Sequence, residues 1–228
     1  MPGGYLTALP VNGMQDLTNS FLLIYAGLFP IINPIGNTPI FLEMTQFCTP
    51  GQRNDLARRV AFNSLALLLG SLFIGSHVLG FFGLSLPVVR IGGGIVVTAL
   101  GWKLLNSEHT ADRDQAAQAA ASTIPDAFYP LTMPLTVGPG SMSVAVALGT
   151  ERPRAAGLGE LFVLGGAAAG LLALAATIYL AYRFAQGFTS MLGRAGANVL
   201  LRLSAFILLC IGIQVIWDGW RQLSGLGR

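Results

Sequence analysis

Over long stretches the chain shows neither the three-to-four-residue rhythm of a surface helix nor the alternation of a half-buried strand. VAFNSLALLLGSLFIGSHVLGFFG, residues 60–83, and ELFVLGGAAAGLLALAATIYLAYRF, residues 160–184, are apolar around every side of a helix. A helix of that kind is buried in a large protein or spans a membrane, and a span needs about 20 mostly apolar residues. On that criterion the pattern predicts six transmembrane spans, at about 18–45, 59–83, 86–106, 128–149, 157–183 and 198–220. Trp102, Trp217 and Trp220 fall at span ends, where amphipathic rings prefer the headgroup level. The longest polar stretch, NSEHTADRDQAAQAAASTIPD, joins the third span to the fourth. It reads as a solvated connector over 107–127 and not as a domain. The expected fold is an all-α integral membrane protein with a single transmembrane domain over residues 1–228.

Two of these spans carry residues unsuited to a helix. FPIINPIGNTPIF, residues 29–41, holds Pro30, Pro34 and Pro39, with Asn33, Gly36, Asn37 and Thr38 between them. YPLTMPLTVGP, residues 129–139, repeats the prolines at one offset as Pro130, Pro134 and Pro139, and Tyr129 answers Phe29. Each broken span opens one half of the chain, 17–106 or 128–222. Three crossings per half start the second half on the opposite side, so the halves are expected to be inverted repeats. In transporters of that architecture, Gly/Pro-interrupted spans at equivalent positions mark the substrate site.

The breaks carry the candidate chemistry. A proline has no N–H, so the carbonyls of Ala26, Pro30 and Ile35 are expected to lose their helical partners. Unsatisfied backbone survives at membrane depth only when buried in protein or lining a wet cavity. Gly36, Gly138 and Gly140 are read as permitting unwound dihedrals and leaving room for a ligand. A new half-helix after each break offers free N–H groups and a positive dipole end, which favour a carboxylate. Asn37 and Thr38, or Ser141 and Ser143, suit the caps of those ends. With Asn33 and Thr136 these residues form the expected substrate-binding set, a small polar chamber for something compact and carboxylate-bearing.

Composition supports the membrane assignment. Apolar residues make up 53% of the chain and charged residues only 10%, and the mean hydropathy is +0.65. A soluble domain carries roughly 25% charged residues, so a water-facing surface is excluded and the lipid bilayer is the main expected partner. Lys and Arg total 13 and Asp and Glu 10, with a pI near 9.2. That mild basicity suits loops facing anionic lipid, not nucleic acid. With six spans, Arg53, Arg58, Arg59, Lys103, Arg113, Arg183, Arg194 and Arg202 share one side. Arg90, Arg152, Arg154, Arg221 and Arg228 share the other, which places the connector in the cytoplasm and both termini outside. No Lys or Arg precedes Arg53, so the first span is expected to be retained and not cleaved as a signal peptide. Cys48 and Cys210 read as packing residues.

NPIGNTPIFLEMT and PLTVGPGSMS, with RIGGGIVVTALGWKLL and IGIQVIWDGW closing the halves, resemble the MarC family of multipass bacterial membrane proteins. The resemblance covers about residues 17–222. It implies a multi-pass protein of the bacterial inner membrane and, through members of the SnatA type, a secondary transporter of small neutral amino acids such as glycine and alanine. The family's NPxG element falls on Asn33, Pro34 and Gly36, and its GPG element on Gly138, Pro139 and Gly140. Asn37-Thr38 after Gly36 departs from the family pattern.

Other polar residues divide between packing and function. Glu43 and His77 are candidates for coupling to a proton or sodium ion. The bland alternatives are a Glu43 ion pair with Arg53 or Arg58 and a packing histidine. GGGIV, residues 92–96, reads as close helix packing. No GxSxG, HExxH, P-loop or His/Cys cluster occurs, so no metal, cofactor or hydrolytic activity is expected. The alternatives to transport are a non-transporting membrane scaffold and, behind it, an intramembrane enzyme using Ser141 with His77.

Overall fold

Every regular element in the described residues, 13–106, 125–150 and 158–225 of a computed structural model, is helical. Helix α1 spans Gly13–Ile32, α2 Thr38–Met44, α3 Pro50–Phe81 and α4 Leu86–Asn106. A π-helical turn over Leu131–Thr136 precedes α5 (Pro139–Thr150), α6 (Leu158–Arg183) and α7 (Ala185–Leu223). Of the connector expected at 107–127, only residues 125–127 are described, and both chain termini lie outside the described residues.

Four helical segments among the described residues are long and apolar enough to cross a membrane: Pro50–Phe81, Leu86–Lys103, Gly159–Arg183 and Arg202–Leu223. The other two expected spans are not continuous helices. The first is divided into α1 and α2, and the fourth into the π turn and α5. Gln15, Asp16, Thr18 and Asn19 also make the first turns of α1 polar.

Two boundaries differ from the apolar pattern for local reasons. Helix α3 begins at Pro50, ahead of the apolar run. Thr49 caps it, its hydroxyl accepting from the Gln52 N–H at 3.3 Å while the Gln52 side chain accepts from the Thr49 N–H at 2.9 Å. Helix α7 begins at Ala185, in a stretch too polar to read as a span, and Gly193 interrupts it with φ 64°. Only glycine adopts that backbone without a Cβ clash.

Small residues set the packing. Helix α4 lies along α7, α1 along α6, and α3 against both α5 and α6. A Cβ on Gly94 would strike the Gly212 carbonyl, and one on Gly101 the backbone of Ala205 and Leu209. One on Gly93 would strike Ser143, and one on Gly166 the Leu17 carbonyl. Such contacts bring backbones together where no hydrophobic effect drives association. The core holds Ile24, Leu28, Ile32, Phe41, Leu68, Leu171, Ile178 and Tyr182. Phe62, Ile74, Phe81, Leu172, Phe206 and Ile213 face outward, an apolar surface suited to hydrocarbon.

Candidate functional site: a cavity between two helix breaks

Helix α1 closes at the first break with the Asn33 N–H bonded to the Phe29 carbonyl at 2.8 Å. Asn33 then turns left-handed, with φ 47°, a conformation Asn enters more readily than most residues. Its Oδ1 accepts from the Gly36 N–H at 3.2 Å. The Ile35 carbonyl, deprived by Pro39, accepts from the Thr38 N–H at 3.2 Å. The Thr38 hydroxyl donates to the Pro34 carbonyl at 3.0 Å.

Asn37 does not cap α2, contrary to expectation. It stands at the cap position but in helical backbone, with no side-chain cap bond. Its Nδ2 donates instead to the Ile32 carbonyl at 2.9 Å and to the Leu135 carbonyl at 3.0 Å. One side chain thus serves one carbonyl from each broken segment.

At the second break the Val137 N–H bonds back to the Thr132 carbonyl at 2.8 Å and the Thr132 N–H to Ala127 at 3.0 Å. These i→i−5 bonds define the π turn, a form frequent at functional sites. Met133 within it is extended. The Thr136 hydroxyl donates to the Leu131 carbonyl at 2.7 Å, so at 2.9 Å the Tyr182 hydroxyl is the donor to Thr136. In α5, Ser141 Oγ donates to the Gly138 carbonyl at 2.9 Å and Ser143 Oγ to Gly140 at 2.8 Å. These hydroxyls bond backward to carbonyls and not forward to N–H groups, so the expected side-chain caps are not formed here either.

Between the breaks lies a cavity of about 100 Å³. Its lining brings together Asn33, Asn37, Thr136, Gly138, Gly140 and Ser141. Gly36, Thr38 and Ser143 are buried but do not reach it. Ile31, Val96, Val97, Leu100, Leu135 and Leu208 form the apolar wall. Nothing in their apolar spans marks Val96, Val97, Leu100 and Leu208 in advance.

None of Gly36, Gly138 and Gly140 has a positive φ, so the expectation of special dihedrals is corrected. Gly36 and Gly140 serve proximity: a Cβ on Gly36 would strike the Asn33 side chain and the Ser204 hydroxyl, and one on Gly140 would strike Val97.

Glu43 and His77 are exposed and absent from the cavity lining. Arg58 and Arg59 share Asp55, at 3.0 and 2.8 Å, and Arg53 reaches the Thr45 hydroxyl at 3.2 Å and Gln186 at 3.1 Å. Ser141 lines the cavity without His77. Among the described residues no group of three His, Cys, Asp or Glu is placed to hold a metal.

Residues 18–224 match the family described as MarC family integral membrane protein. The chain belongs to the MarC family. A UPF0056 membrane protein of Methanocaldococcus jannaschii is 32% identical over 202 residues, 88% of this chain and 96% of the relative. The UPF0056 membrane protein YhcE of Escherichia coli is 29% identical over 201 residues, 87% of this chain and 91% of its own. The UPF0056 inner membrane protein MarC of Salmonella typhimurium is 26% identical over 212 residues, 90% and 96% of the two chains. No solved structure matches. Family membership and the long apolar helices together make the chain a multi-pass integral membrane protein.

Proposed function

We propose that this MarC family member is a secondary transporter of small neutral amino acids, glycine or alanine in type, in the inner membrane, with its substrate in the cavity between the two breaks. The observation that carries the reading is that cavity, where polar groups from both broken segments meet within apolar walls. An apolar cavity of about 150 Å³ accepts benzene, whereas drug-sized sites are about 300–1,000 Å³. A space of about 100 Å³ suits a ligand of a few heavy atoms, such as glycine or alanine.

The polar groups suit a zwitterion. The N-terminus of α5 stands at the wall, with Gly140 and Ser141 in its first turn. First-turn N–H groups have no partner within a helix and carry the positive end of its dipole, which favours a carboxylate there. Asn33 Oδ1 and the Leu135 carbonyl each accept one hydrogen bond. Each carries a second lone pair for the ammonium group.

Six crossings arranged as inverted repeats complete the reading. The packing pattern supports this exchange of halves. Swapping them turns the α1–α6 contact into α5–α3 and the α4–α5 contact into α7 against α1 and α2, while α4–α7 and α3–α6 map onto themselves. Both termini then lie outside, so cysteines at Ser85 and Asn106 should react from opposite faces. A proton or sodium gradient is the proposed drive, with Glu43 and His77 as coupling candidates outside the cavity.

The test of transport is counterflow in liposomes holding the purified protein. Labelled alanine should accumulate against unlabelled alanine or glycine, with leucine and phenylalanine competing poorly. Ethylamine, which has no carboxylate, should compete far less than alanine. Absence of counterflow for glycine, alanine, serine and threonine under imposed proton and sodium gradients would refute the reading.

A further inference from the structure

Tyr182 belongs to neither break, yet it touches both. It lies one residue before the end of α6, fully buried. Its ring stacks on Phe41 of α2 with centroids 4.2 Å apart and planes 6° from parallel. Its hydroxyl donates to Thr136 at 2.9 Å, and Thr136 lines the cavity. Phe41 is three residues from the end of α2, and Leu131, like Tyr182, is fully buried. Immediately beyond this layer the same end of the molecule is exposed and polar. There Tyr179 donates to Asn54 at 3.2 Å, Arg183 to the Tyr179 hydroxyl at 2.6 Å and Arg53 to Gln186 at 3.1 Å. The buried aromatic pair of Tyr182 on Phe41 thus adjoins both the cavity wall, at Thr136, and the polar end of α6.

We propose that Tyr182 is the gate residue between the cavity and the α2–α6 face. The Phe41 stack forms the closed door, and the Thr136 bond latches it to the second break. A hydroxyl held only by neutral partners, Thr136 and the Asn37 side chain, can be released without leaving a buried charge. Because Thr136 belongs to the cavity wall, a ligand that displaces the π turn also pulls on the latch. Site and gate are coupled through the Tyr182 hydroxyl, whose partners Thr136 and Asn37 both line the cavity. The inference rests on the transporter reading, but its test does not require flux.

Cys48 and Cys210 would be replaced by alanine, and Ser141→Cys introduced as the reporter of the cavity. In a parallel sample Gln186→Cys marks the α2–α6 face. Right-side-out and inside-out vesicles are treated with a membrane-impermeant methanethiosulfonate, and the labelling rate of the reporter is measured. Tyr182→Phe keeps the stack and loses the latch. It should raise labelling from the α2–α6 face by roughly three- to tenfold, the equilibrium effect of one net hydrogen bond. Thr136→Val, which leaves the Asn37 partner, should raise it by no more than Tyr182→Phe does, and Tyr182→Ala should exceed both. From the opposite face the rate should stay at the parent value. Unchanged labelling in both Tyr182 variants would overturn the gate, as would an equal rise from both faces, which signals general loosening. Failure of alanine counterflow alongside face-specific labelling would refute transport and leave the gate standing.

Discussion

Asn37 gives both side-chain hydrogens to backbone carbonyls, at 2.9 and 3.0 Å, and this separates a bridging role from a capping one. A cap needs an oxygen, which Asp supplies as well as Asn. A bridge to carbonyls needs N–H, which Asp lacks. Asn37→Ala should cost about 1–3 kcal/mol, because buried carbonyls lose their donor. Asn37→Asp should be at least as damaging, since it also brings a charge to membrane depth. Thermal unfolding in detergent measures both; an Asp variant as stable as the parent would restore the capping role. The sequence pattern picks out Asn37 because a polar residue in an apolar run is conspicuous, but not the direction of its hydrogen bonds. That direction depends on Leu135, 98 residues away in sequence. Tyr182 is illegible for a different reason. A tyrosine near a span end looks like an ordinary interfacial ring, and only the fold places it on Phe41 and Thr136.

At the scale of elements, the prolines mark where α1 gives way to α2 and where the π turn precedes α5, because a missing N–H acts locally. The same logic did not foretell that the second break would be a π turn or that Gly36 and Gly140 would serve proximity. Those outcomes follow from neighbours, above all the crossing of α4 over α5. Val97 occupies the space that a Cβ on Gly140 would need, and both residues line the cavity. Gly140→Ala should therefore strain the α4–α5 contact by about 1–3 kcal/mol, the usual cost of overpacking, and depress alanine counterflow. Adding Val97→Ala should restore flux by vacating that space. Full activity of Gly140→Ala with Val97 intact would show that the contact is not a constraint on the site. Cap chemistry was available in the sequence at Thr49-Pro50-Gly51-Gln52 and sets the start of α3, whereas hydrophobic length alone places that start too late.

For the molecule as a whole, membrane residence was legible from composition, since so few charges cannot clothe a soluble surface. The contact between the two breaks rests on pairs such as Asn37 and Leu135, which no local pattern displays, and the gate layer was not legible at all. The central claim is that a small amino acid occupies the cavity the breaks enclose. Its most direct test is ligand protection of Ser141→Cys, in the background lacking Cys48 and Cys210, against a small thiol reagent. Alanine and glycine should slow the reaction with half-effects at the concentrations that half-saturate counterflow, while ethylamine should leave it unchanged. Alanine flux that persists with no protection of Ser141→Cys would place the substrate elsewhere and contradict the account.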